Sequence, residues 1–168
     1  RELRQRSGAN CCGGNAQNGW HSAGGMLISN DSLGLETATD GTSNTIIMSE
    51  ISDWGFDAAG NKVDMRGSAT HGWLMGTDGG GRTTALNNGP RSRKFNITSV
   101  RYPPGTRDTT LPGIHPNHGP NHPLTSAHTG GTHALLADGH VVFISDNINL
   151  PTLKYLSTRD DGESIGAY

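Results

Sequence analysis

Two largely apolar runs, residues 132–137 and 140–145, are separated by Asp138-Gly139. No other feature constrains the chain as strongly. Asp-Gly between such runs predicts a two-residue type I′ hairpin turn, whose central positions both need positive φ. That turn sets Ala137 against His140, Leu135 against Val142 and His133 against Ile144 on one face. Leu136 with Val141 and Ala134 with Phe143 then occupy the other. Both faces are largely apolar, so the hairpin is expected in the middle of a sheet.

A second strand is expected at residues 45–50, Thr45-Ile46-Ile47-Met48-Ser49-Glu50, which follow the turn cluster Asp40-Gly41-Thr42-Ser43-Asn44. Beyond the hairpin, Asn149 is placed to cap a short helix through Thr158. Pro151 is tolerated in its first turn, and Leu150, Leu153 and Leu156 form its packing stripe.

The remainder is less regular. With 25 Gly and 8 Pro in 168 residues and 32% hydrophobic content, much of the chain is expected in turns around a small core. Residues 1–25 show no sustained period, with a short strand expected at 25–29. Further strands are expected at 72–75 and 95–100. The prolines between Leu111 and Leu124 exclude a helix there. The fold class is therefore mainly β with few short helices (α+β), antiparallel and loop-rich. Its length suits one β-rich domain over residues 1–168, since ordinary domains run to roughly 100–200 residues.

Charge narrows the partners. A net charge of −2 with mixed signs provides no basic field for nucleic acid or an anionic membrane. No stretch approaches the roughly 20 consecutive apolar residues of a membrane helix. Cys11 and Cys12 are adjacent; such a pair can close a strained vicinal disulfide, pair with another chain or remain as thiols. Asn30 and Asn96 each open an Asn-x-Ser/Thr triplet, the acceptor pattern for glycans in exported proteins.

Two segments together carry a family resemblance. Thr39-Asp40-Gly41-Thr42-Ser43-Asn44-Thr45 runs into a strand that ends in Glu50, and nine residues separate His128 from Asp138-Gly139. In that order they resemble the paired motifs of a pilin-like family abundant in planctomycete-type bacteria. Its members begin with a prepilin-type segment and a long apolar helix, neither of which occurs in these 168 residues. The resemblance implies a globular, β-rich head at an extracellular or cell-surface location, with membrane attachment only through such a helix. A homo-oligomer or helical polymer is the implied partner arrangement. Within the motifs, Asp40, Gly41, Asn44, His128, Asp138 and Gly139 are expected to act structurally.

Five of the eight histidines lie between His115 and His133, and imidazole is a common ligand for Zn, Cu and Ni. The metal candidates are Asp40, Glu50, His128 and Asp138. Ca²⁺ is considered at Asp40, Glu50 or the carboxylates around Asp57, Asn61 and Asp64, because it takes oxygen ligands; no cofactor is required. His115, His118 and His122 sit in a loop whose course local sequence does not define. No Gly-x-Ser-x-Gly elbow or phosphate-binding loop occurs, so no enzyme is expected. The leading expectation is a structural subunit of an extracellular filament or cell-envelope array. The alternative is a binding module for glycan, metal or another envelope protein, with Trp20, Trp54 and Trp73 as sugar-stacking candidates.

Overall fold

Seven strands and one helix form in a computed structural model that describes residues 3–5, 19–28, 32–51, 54–65, 96–114, 119–163 and 165–166. In chain order the strands are β1 (Leu3–Gln5), β2 (Trp20–Ser22), β3 (Ile46–Ser49), β4 (Trp54–Phe56), β5 (Lys62–Asp64), β6 (Gly131–Leu136) and β7 (Val141–Ser145). The helix α1 (Leu150–Leu156) follows, and single 3₁₀ turns occupy Leu35–Thr37 and Thr42–Asn44. All strand pairs are antiparallel, forming a three-stranded sheet in the order β3-β6-β7 and two-stranded ribbons β1-β2 and β4-β5. The β-rich α+β class expected from sequence is the observed one.

The β6-β7 hairpin forms around Asp138-Gly139, but its register differs from the expected one by a residue. Leu135 pairs with Val141, Ala134 with Val142, His133 with Phe143 and Thr132 with Ile144. The Leu136 N–H donates to the His140 carbonyl at 2.8 Å and the Gly139 N–H to that of Leu136 at 3.0 Å, with φ of +93° at Gly139. This is a three-residue connection: a turn through Ala137 and Asp138, followed by a left-handed glycine that forms a bulge. Gly139 thus supplies positive φ once, not as half of a type I′ pair.

A one-residue slip reverses which side chains share a face. Thr132, Ala134 and Leu136 line up with Val142 and Ile144 on the inner face. There Ala134 and Ile144 join Leu124, Leu153 and Leu156 in the main core cluster, with Ile46, Val142, Ile148 and Leu150 packed against it. The outer face carries His133, Leu135, Val141 and Phe143. The hairpin is consequently not central: β6 is the middle strand and β7 the edge, and Val141 and Phe143 remain 64% and 47% exposed.

The β3-β6 ladder has an irregularity of its own. Ile46 pairs with Leu136 but Met48 with Leu135, so Ile47 is the extra residue of a bulge. Without it Ile46 and Met48 would share a face. With it, Ile46 packs on the inner core while Met48 turns outward, 58% exposed.

Several smaller expectations are corrected. Residues 25–27 form a bend, and the early strand lies at β2, paired with β1 across 14 intervening residues. Three-residue strands are too short to show a period in sequence. Residues 96–100 form no strand; their backbone is held by loop bonds, Ser99 N–H to the Pro120 carbonyl at 2.7 Å among them. Helix α1 ends at Leu156, and Asn149 occupies its N-cap without a side-chain bond to the helix, leaving Pro151 to set the first turn. Leu153 and Leu156 are fully buried. Residues 72–75, Phe95, His115 and His118 lie outside the described residues.

Near the C-terminus, Arg159 ties the chain together. Its backbone N–H donates to the Gly24 carbonyl at 2.8 Å, and its guanidinium donates to the carbonyls of Ala23 and of Gly25, the latter at 2.7 Å. Among the described residues no helix is long and apolar enough to cross a membrane.

Two substitutions test this arrangement by thermal or urea unfolding. A side chain at Gly139 would meet no atom within 4 Å, so Gly139→Val should lose about 1 kcal/mol or more through backbone strain alone. Leu156→Ala, which empties a fully buried position, should cost about 2–5 kcal/mol.

Candidate functional site

The β3-β6 ladder lays the two motif segments antiparallel, so each end of one meets the opposite end of the other. At the turn end, Ala137 N–H donates to the Thr45 carbonyl at 2.8 Å and Asp138 N–H to that of Thr42 at 3.2 Å. The Asp138 carboxylate accepts from the His140 N–H and lies 3.0 Å from the His140 ring nitrogen, which hold its pKa below the ordinary value.

Asp40 acts across the chain. Its carboxylate accepts the N–H groups of Asp161 at 2.7 Å and Gly162 at 3.0 Å, and its own N–H donates to the Arg159 carbonyl. Asn44 closes the motif by donating its amide to the Asp40 carbonyl at 3.0 Å, and the Thr45 hydroxyl donates to the Gly41 carbonyl at 3.0 Å. Gly41 has φ of +100°, a conformation that side chains rarely adopt. Asp40, Gly41 and Asn44 therefore fasten the C-terminal loop to the start of β3.

At the far end the ladder runs out. The His133 N–H faces the β3 side, as the Ala137 N–H does, but β3 has ended at Ser49. The Glu50 carboxylate replaces the missing ladder acceptor: one oxygen takes the His133 N–H at 2.8 Å and the buried Thr132 hydroxyl at 3.2 Å. Ser49 adds a hydroxyl bond to the His133 carbonyl at 2.9 Å. The bulge at Ile47 makes this possible, because it advances the register until Ser49 faces Ala134 and Glu50 reaches His133.

Two imidazoles converge on this carboxylate. His133 Nδ1 stands 3.6 Å from one oxygen and His128 Nε2 3.7 Å from the other. The His128 ring meets that of His133 edge-on at 4.8 Å, and His133 meets Phe143 edge-on at 5.3 Å. One donor atom from each of Glu50, His128 and His133 lies within 4.8 Å of the others. The three side chains are partly open to solvent, at 38%, 57% and 43%. Burial works to raise the Glu50 pKa, but the His133 N–H, the Ser126 and Thr132 hydroxyls and the nearby His128 outweigh it and hold the pKa below 4.5.

Of the four metal candidates, the structure brings Glu50 and His128 together, adds His133, and leaves Asp40 and Asp138 in separate hydrogen-bonding roles. His133 carried a signal only in combination: it is the histidine whose strand position lies beside the end of β3. His122 is buried and its carbonyl accepts from the Thr98 hydroxyl. Asp57 bonds the N–H groups of Ala59 and Asn61 and the Asn61 amide, closing the β4-β5 loop. Trp54 lies between two cations, with Arg107 4.0 Å and Lys62 4.6 Å from its ring centre. Arg107 also donates to the carbonyls of Trp54 and Ser126, linking that ribbon to the loop carrying His128. Asn96 is exposed, while Asn30, Cys11, Cys12, Trp73 and the side chain of Trp20 fall outside the described residues.

The depressed Glu50 pKa has a defined sign. Its stabilising effect is fully present above the unfolded value and fades as pH falls through the lower folded value. Glu50→Gln should therefore destabilise the chain at pH 7 by about 1 kcal/mol, reduced from a buried charged bond by solvent screening. The gap between wild type and variant should close in unfolding experiments taken well below pH 4.5.

Comparison with known proteins returns no matching curated protein and no matching solved structure. A family model described as a protein of unknown function (DUF1559) matches residues 4–150. Those residues include both motif segments and the Glu50-His128-His133 cluster that their pairing creates, and the chain belongs to the DUF1559 family.

Proposed function

We propose that this domain is a structural subunit of an extracellular filament or cell-envelope array, and that copies meet through the outer face and free edge of the β3-β6-β7 sheet. One observation carries the reading: Met48, Val141 and Phe143, the most exposed large apolar side chains of the sheet at 58%, 64% and 47%, share that outer face. Leu135 joins them between Met48 and Val141. Water penalises such a surface, and contiguous apolar patches mark interaction sites.

The edge supplies a second element. Among the described residues β7 pairs with β6 alone, so its outer N–H and C=O groups are available to another strand. Val141 and Phe143 lie along this edge, so strand addition and burial of the apolar face would occur in one contact. The resemblance to pilin-like surface proteins supports a location outside the cell and attachment by an N-terminal apolar helix.

Negative-stain electron microscopy and sedimentation of native envelope material and of the isolated chain test the reading. Concentration-dependent oligomers or fibres are expected, weakened at least tenfold by Val141→Lys with Phe143→Asp. Exposed positions of this kind usually change stability by no more than about 0.5 kcal/mol each, so the melting temperature should hardly move. Monodisperse monomers from both sources would overturn the proposal.

A further inference from the structure

We propose that Glu50, His128 and His133 form a binding site for a divalent transition metal of the zinc class, with one coordination position open to solvent. The donor set points to that class. Two imidazole nitrogens and one carboxylate oxygen suit Zn²⁺ and its neighbours, whereas Ca²⁺ takes six to eight oxygens. Three protein ligands plus an exchangeable fourth is an established zinc arrangement.

The spacing points the same way. Both imidazole nitrogens face the carboxylate, yet at 3.6 Å and 3.7 Å they are too far from it for good hydrogen bonds. Donor atoms around a tetrahedral zinc ion with bonds of about 2.0–2.2 Å stand roughly 3.3–3.6 Å apart. The separation of His133 Nδ1 from one Glu50 oxygen, 3.6 Å, already matches that spacing, and one donor atom from each of the three residues lies within 4.8 Å of the others.

The surroundings hold two of the ligands in place. Glu50 is oriented by the His133 N–H and the Thr132 hydroxyl. Such outer partners fix a ligating carboxylate and raise metal affinity. His133 springs from the central strand and rests its ring against Phe143. His128, in the loop before β6, is the most exposed of the three.

This inference is independent of assembly through the sheet face, since it concerns a monomer. Isothermal titration of the EDTA-treated chain with ZnCl₂ at pH 7.5 tests it, comparing wild type with His128→Ala/His133→Ala. Comparing the two isolates this site from the remaining histidines. Wild type should bind one equivalent more than the double variant, and Co²⁺ should give wild type a visible d-d absorption that the variant lacks. Zn²⁺ should also raise the melting temperature of wild type and leave that of the variant unchanged. If the double variant does not fold in EDTA, as judged by circular dichroism, His128→Gln at the most exposed ligand serves instead and should weaken the same equivalent at least tenfold. The absence of saturable Zn²⁺ binding by wild type, or equal stoichiometry and affinity in wild type and variant, would overturn the proposal.

Discussion

The ladder between β3 and β6 organises the molecule. On one side of β6 it seats β3; on the other β6 carries β7, which leads through a tight turn into α1. Leu153 and Leu156 of that helix then cover the inner face, where Ala134, Ile144 and Leu124 complete the core. Few residues do this work, as expected for a Gly-rich chain with limited apolar content, and polar bonds take a large share elsewhere. The Asp40 carboxylate on the loop at Asp161-Gly162 and the Arg159 guanidinium on the backbone at Ala23 and Gly25 bind distant segments without a hydrophobic contact. Each satisfies backbone groups that an irregular chain would otherwise leave without partners.

Two bulges shape the sheet. The left-handed Gly139 sets the β6-β7 register and sends Val141 and Phe143 outward, creating an apolar outer face beside an open edge. The bulge at Ile47 keeps Ile46 in the core, turns Met48 to that same outer face, and advances Glu50 to the end of β6. Apolar surface and polar cluster are thus products of the same register choices. They also touch, through the edge-on contact of His133 with Phe143.

Much of the local structure was legible because it rests on neighbouring residues. Strand β3 follows from a β-branched run after a turn cluster, the β6-β7 hairpin from two apolar runs around Asp-Gly, and α1 from Pro151 with the leucine stripe. The errors share a cause. Asp-Gly is compatible with a two-residue turn and with the last two positions of a three-residue turn, and only the packing of Ile144 and Val142 against α1 selects the second. The β1-β2 ribbon joins strands of three residues each, below the length at which alternation can be seen. Within the cluster, the roles of Glu50 and His128 were accessible as motif ends, but His133 read as one more strand residue.

The sequence by itself determined where the chain turns, which short runs extend, and that a helix closes the C-terminal unit, because φ preference, β-branching and proline geometry act over a few residues. Tertiary structure decided which face of each strand is buried and which charged groups meet. The bond from the His133 N–H to Glu50 spans 83 positions, and those from Asp161 and Gly162 to Asp40 span 121 and 122. Such pairings depend on register, and a one-residue bulge reverses every face downstream of it. No local preference at Glu50 or His133 encodes their encounter; it exists only once Ile47 is displaced and β3 lies against β6.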